Sequence, residues 1–124
     1  MDQTEIDQLI ATANRRAVLI NQIGHAKERF RSRNTLVWEG HVFKLDQGFI
    51  TYLCLSYMEW LTTDKDKRSH VIFLDKNEEP VLIEDLTEFI TRAQECHNDA
   101  LSDYYDTYSS LERAQSTEEL IEVS

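Results

Sequence analysis

The feature that most constrains this chain is the spacing of its apolar residues towards the two ends. Leu86, Ile90, Ala93, His97, Ala100, Tyr104 and Tyr108 recur at intervals of 4, 3, 4, 3, 4 and 4. Such intervals stack side chains along one side of an α-helix and do not fit the strict alternation of a strand. They predict a long helix from about Glu84 to Leu111, packed lengthwise on another helix, with His97 as a half-buried polar residue that sets register. Near the other end, Ile6, Ile10, Ala13, Ala17 and Ile20 recur at intervals of 4, 3, 4 and 3. They predict a first helix that starts at Thr4 and continues to about Phe30, with Glu5 and Asp7 favouring its dipole. Leu9, Val18, Leu19 and Ile23 widen this stripe, so the helix should touch more than one neighbour. The two long helices could pair within one chain or form an oligomeric coiled coil, and spacing leaves both open.

Between them the pattern changes. In LVWEGHVFKLD, residues 36–46, apolar and polar residues alternate around Glu39-Gly40. This predicts a short hairpin with a glycine bulge at its turn, and Asp46 as the cap of the next element. The hairpin reverses the chain and should fix Trp38 and Phe43 against that element. It spans Gln47 to about Leu61, is apolar almost all round, and reads as a central helix or one lying in an interface. TTDKDKRS reads as a solvated loop. HVIFLD reads as a short buried strand, and KNEEP as a turn towards Val81-Leu82, giving a second hairpin or an extended arm. Pro80 should stand just before the last helix.

The expected fold is α+β and mostly helical: long N- and C-terminal helices, a central apolar helix, and one or two short β-hairpins. Residues 1–114 read as one domain, and 115–124 as an acidic, mobile tail.

The net charge of −10 is unevenly placed: residues from Glu84 onward hold 11 acids and two arginines. That field repels nucleic acid and suits solubility or a basic protein partner. No apolar run reaches the roughly 18 residues that a membrane-spanning helix needs. MDQTEIDQLI lacks the basic-then-apolar pattern of a secretory signal. Cys54 and Cys96 lie in apolar stretches and read as buried free thiols.

Residues suited to chemistry are present but scattered. His25, His41, His70 and His97 form no ligand pair, and Cys96-His97 are adjacent on a helix, so they point to different faces. DKNEEPVLIEDL imitates a calcium loop at Asp75, Asn77 and Glu79. It then places Pro80 where glycine is needed and Leu86 where a bidentate acid is needed. Ser56, Ser69 and Cys54 have no base-bearing motif, and three glycines cannot build a phosphate cradle. The expectation is no enzyme, no metal, no cofactor and no small-molecule substrate. Interface candidates are the aromatics Trp38, Trp60, Tyr104, Tyr105 and Tyr108, of types enriched where proteins meet, and the basic cluster Lys27, Arg29, Arg31 and Arg33. That cluster should meet the acidic last helix, in the same chain or in a neighbour.

The order of elements carries a resemblance. A helix with Arg16 and Ile20-Asn21 leads into a hairpin with G-x-x-F-x-x-D at Gly40, Phe43 and Asp46. A helical segment comes next, then D-x-N at Asp75 and Asn77, and a long helix entered at Leu82 and Leu86. Over about Arg15 to Leu111 this resembles a domain-of-unknown-function family of tailed-bacteriophage tail and tail-fibre-assembly proteins. It departs from that pattern at Phe49, where the family often has serine, and at Ile72-Phe73, where it often has tryptophan before D-x-N. The resemblance implies a virion or tail-assembly component, present in the host cytoplasm during assembly. It would occur in multiple copies or as a homo-oligomer, with other phage structural proteins as partners and no catalytic residues carried over. The alternative is an acidic phage-encoded regulator that imitates DNA through Glu84, Glu88, Glu95, Asp99, Asp103 and Asp106.

Overall fold

The computed structural model describes residues 2–114. Its elements in chain order are α1 (Gln3–Arg33), β1 (Thr35–Trp38), β2 (His41–Lys44), α2 (Gln47–Thr62), β3 (Val71–Leu74), β4 (Pro80–Ile83) and α3 (Leu86–Arg113), with a 3₁₀ turn at Lys65–Lys67. The fold is α+β and mostly helical, with two long terminal helices and two antiparallel hairpins. No helix among the described residues is long and apolar enough to cross a membrane. The tail expected over 115–124 lies outside the described residues.

The chain divides into two compact units. One comprises residues up to Ser32 and from Leu101 onward, the other Arg33–Ala100. No loop marks the boundary, because α3 runs through it.

The unit Arg33–Ala100 is built around aromatic rings. Pairing is Leu36 with Phe43 and Trp38 with His41 in the first hairpin, and Ile72 with Leu82 and Phe73 with Val81 in the second. The inward sides supply Leu36, Trp38, Phe43, Phe73, Val81 and Ile83, which pack with Leu45, Leu53, Leu86, Phe89 and Ala93. Phe89 is central: its ring lies 5.2 Å from those of Trp38 and Phe43 and 5.5 Å from that of Phe73. Phe43 does meet α2, through Phe49 at 5.7 Å. Trp38 packs instead on Phe89 of α3, which corrects the expected contact. The first turn is a two-residue reversal with φ of 49° at Glu39 and 81° at Gly40, not a glycine bulge. Positive φ at both central positions is the turn whose twist matches its strands, and only the second position carries the residue that tolerates it freely.

The caps come from short polar side chains. Asp46 accepts from the Phe49 amide at 2.9 Å and Asp85 from the Glu88 amide at 3.0 Å. The first helix is capped by Asp2, which accepts from the Glu5 amide, so the helix begins before Thr4. Pro80 opens β4, where its missing N–H costs nothing on a two-stranded edge.

In the other unit α1 runs antiparallel to the end of α3 over a small core of Ala26, Leu111 and Ala114, flanked by Val18, Leu19, Ile23 and Tyr104. The expected helix pair therefore exists, but it uses the opposite side of α1. Arg15, Val18, Gln22, Ala26 and Arg29 face α3, whereas Ile6, Ile10, Ala13, Ala17 and Ile20 are exposed. The stripe on α3 sits largely inward as expected, with Phe89 and Leu111 as further buried positions.

Candidate interaction surfaces

The interface candidates from the sequence separate into buried, half-buried and open groups. Trp38 is 9% exposed and forms core, with the Arg92 guanidinium 5.4 Å above its ring. Strand alternation explains this correction, since Leu36 and Trp38 share the inward side. Trp60 is half-buried, stacked on Tyr57 at 6.0 Å and covered by the Arg68 guanidinium at 4.1 Å. Tyr104 packs edge-on against Phe30 at 5.4 Å and stacks with Tyr108 at 6.0 Å, while Tyr105 is 71% exposed. The Glu112 carboxylate beside Tyr108 holds its hydroxyl above the usual tyrosine range.

The basic cluster also divides. Arg29 bonds to Asp103 at 3.0 Å and to the Thr107 hydroxyl, which meets the expectation that a basic side of α1 faces the acidic helix. Arg31 pairs with Glu28 on its own helix, Lys27 is exposed, and Arg33 is exposed at the end of α1.

Other apolar residues are more open than these candidates. On α2 only Leu53 is fully buried, so the helix is not enclosed by this chain. Phe49, Ile50, Tyr57 and Trp60 turn inward around it. Cys54, Leu55, Met58 and Leu61 share the outer side and are exposed, with Leu55 at 60% and Met58 at 62%. Cys54 and Cys96 are free thiols, but Cys54 is exposed and Cys96 only half-buried, contrary to the expected burial. Hairpin β3–β4 is apolar on both sides: Phe73, Val81 and Ile83 face in, and Ile72, Leu74 and Leu82 remain exposed. The sequence shows this as a continuous apolar run, VIFL, which period-two reasoning assigns to a strand covered on both faces. An open groove of about 400 Å³ separates α2 from β3, lined by Ser56, Glu59, Arg68 and His70 among others.

Two polar clusters hold this unit in register. Asn34 is buried; its Nδ2 donates to the Leu45 carbonyl at 2.6 Å, and its Oδ1 accepts from His97 Nδ1 at 2.7 Å. His97 is half-buried, as its place in the stripe implied.

The second cluster escaped the sequence reasoning. Asp75 is buried. Its Oδ1 accepts from the Asn77 and Glu79 amides at 2.8 and 3.0 Å, and its Oδ2 from His41 Nδ1 at 2.8 Å. These bonds, the His41 one foremost, hold its carboxyl below the usual range. The signal was Asp-x-Asn at a hairpin turn, where an aspartate bonds its own backbone two residues on. Glu79 lies 3.8 Å from His41, so three metal-ligand types converge. Both Asp75 oxygens are already engaged, and the group acts as a clasp between hairpins, together with the Lys76 amide donating to the Val42 carbonyl at 2.8 Å.

No protein-family model, no curated protein and no solved structure matches the chain.

Proposed function

We propose that this chain is a bacteriophage structural or assembly protein that works by protein–protein contact, as a tail, baseplate or fibre component or as a fibre-assembly helper. The observation that carries the contact reading is the amount of apolar surface left open by a chain that has a well-packed core. Leu55, Met58 and Leu61 on α2 and Ile72, Leu74 and Leu82 on the second hairpin are exposed beside a core closed by Phe43, Phe73 and Phe89. Contiguous exposed apolar residues mark surfaces that another protein covers. The phage assignment rests on the sequence resemblance, supported by the element order of helix, hairpin, helix, hairpin, helix.

Mass spectrometry of purified particles tests it. The chain should be present in a fixed copy number, or should co-purify with an unassembled tail or fibre protein if it is a helper. A monodisperse monomer that binds no virion or assembly protein sinks the reading. The acidic-regulator alternative makes a different prediction, binding to a basic host nuclease or polymerase with steep salt dependence.

A further inference from the structure

We propose that the outward stripe of α1 is the seam of an antiparallel helix pair formed with α1 of a second copy of this chain. The proposal rests on the contact reading above and adds α1 to its surfaces.

The first observation is a length of helix that extends beyond its contacts with other elements among the described residues. Residues 2–14 are all exposed, and the first contact described along α1 is the Arg15 guanidinium on the Ala114 carbonyl. About 18 Å of helix, residues 3–14, therefore extends past the described end of α3. A segment of about 12 residues containing Ile6, Ile10, Thr4, Thr12 and Asn14 gains little helical stability from propensity alone.

The second observation is the second apolar side. Ile6, Leu9, Ile10, Ala13 and Ala17 are all exposed and lie away from the residues that pack on α3, while Ile20, also exposed, borders a groove beside Tyr104 and Tyr108. The helix thus has one apolar side for its own chain and another for a neighbour.

Large and small residues on this stripe are ordered. In an antiparallel pair, Ile6 meets Ala17 of the second copy and Ile10 meets Ala13, with the reciprocal contacts arising by symmetry. Ile6 and Ile10 then each face an alanine, and the backbones can approach closely there. A parallel pair would set isoleucine on isoleucine and alanine on alanine, leaving gaps.

Charge selects the same orientation. Residues 2–7 hold Asp2, Glu5 and Asp7 and no base, while residues 8–27 hold Arg15, Arg16 and Lys27 and no acid. Antiparallel pairing brings Asp7 of each acidic end beside Arg16 of the other copy, Arg15 being turned towards α3. Parallel pairing stacks acids on acids and arginines on arginines, which is unfavourable.

The test uses the full chain with Cys54→Ser and Cys96→Ser, and mild oxidation. Chains carrying Ile6→Cys and chains carrying Ala17→Cys should cross-link when mixed, and neither should cross-link alone, because identical positions sit far from the two-fold axis. Ile10→Asp should raise the dimer dissociation constant about 100-fold by placing a carboxylate in the seam. It should leave thermal unfolding of the protomer unchanged, since Ile10 is 55% exposed. Self-cross-linking of Ile6→Cys alone would mean a parallel pair and overturn the proposal. So would an intrachain disulfide between Ile6→Cys and Ile121→Cys, which would assign the stripe to the chain's own last residues. A monomer at every soluble concentration, or a dimer indifferent to Ile10→Asp, overturns it too. None of these outcomes depends on whether the chain is found in particles, so this proposal and the phage reading can fail separately.

Discussion

The two units of this protein are held together by different means. The unit Arg33–Ala100 closes on rings: Phe43, Phe73 and Phe89 are almost wholly buried and touch one another or a shared neighbour. The helix pair of the other unit closes on Ala26, Leu111 and Ala114, with the Arg29–Asp103 pair beside them. Aromatic side chains bury large areas and add edge-to-face contacts, whereas alanines bring backbones close and contribute little area. The other unit has, among the described residues, a thin core and an open apolar side on α1.

The sharpest way to break this comparison is to remove its central ring. Phe89 contacts Trp38, Phe43, Phe49 and Phe73. Phe89→Ala should destabilise its unit by about 3–5 kcal/mol, read by chemical denaturation with tryptophan fluorescence. A loss below about 1 kcal/mol would mean that the rings do not carry that unit. Leu111→Ala is the matching cut in the helix pair, where Leu111 is fully buried. It should cost about 2 kcal/mol, the low end for a buried leucine, because few large neighbours surround the gap. If it costs more than Phe89→Ala, the contrast between the units is inverted.

Acid sharpens the comparison within the aromatic unit. The folded-state pKa of Asp75 lies below its ordinary value of 3.8. Its contribution is therefore complete above about that value and is lost as pH falls through the lower, folded value. Asp75→Asn should flatten the wild-type fall in stability below that pH and lower stability at neutral pH, because an amide cannot accept the same set of bonds. Identical acid-unfolding curves for the two proteins would remove the clasp from the account.

How much of this was legible in the sequence depends on the element. The long helices, the hairpin at Glu39-Gly40 and the Asp46 cap were readable because each rests on local chemistry: spacing, a turn residue, a capping oxygen. The α2 helix was readable as apolar all round, but its environment was not, since a sequence does not say which of several apolar sides the chain itself covers. The stripe at Ile6, Ile10, Ala13, Ala17 and Ile20 shows the same limit. Periodicity found it, yet the side that packs on α3 is the less obvious one through Arg15, Gln22 and Ala26. Pairing by a salt bridge and small residues leaves a weaker apolar signal than a row of isoleucines. Asp75 and His41 are 34 positions apart. Their bond depends on how the two hairpins meet, which no local motif records.

The smallest expected effect on stability is also the one that separates packing from gripping. Leu55 and Met58 lie on the outer side of α2 and are largely exposed. Replacing both by glutamine should change protomer stability by less than about 0.5 kcal/mol, because an exposed helix position accepts glutamine as readily as leucine or methionine. If α2 belongs to the proposed contact surface, the same change should abolish partner capture or reduce retention on particles, measured by pull-down or particle composition. A marked loss of stability would show that these residues serve the protomer's own packing. Unchanged stability with unchanged capture would remove α2 from the contact surface and leave the second hairpin, through Ile72, Leu74 and Leu82, to hold the partner.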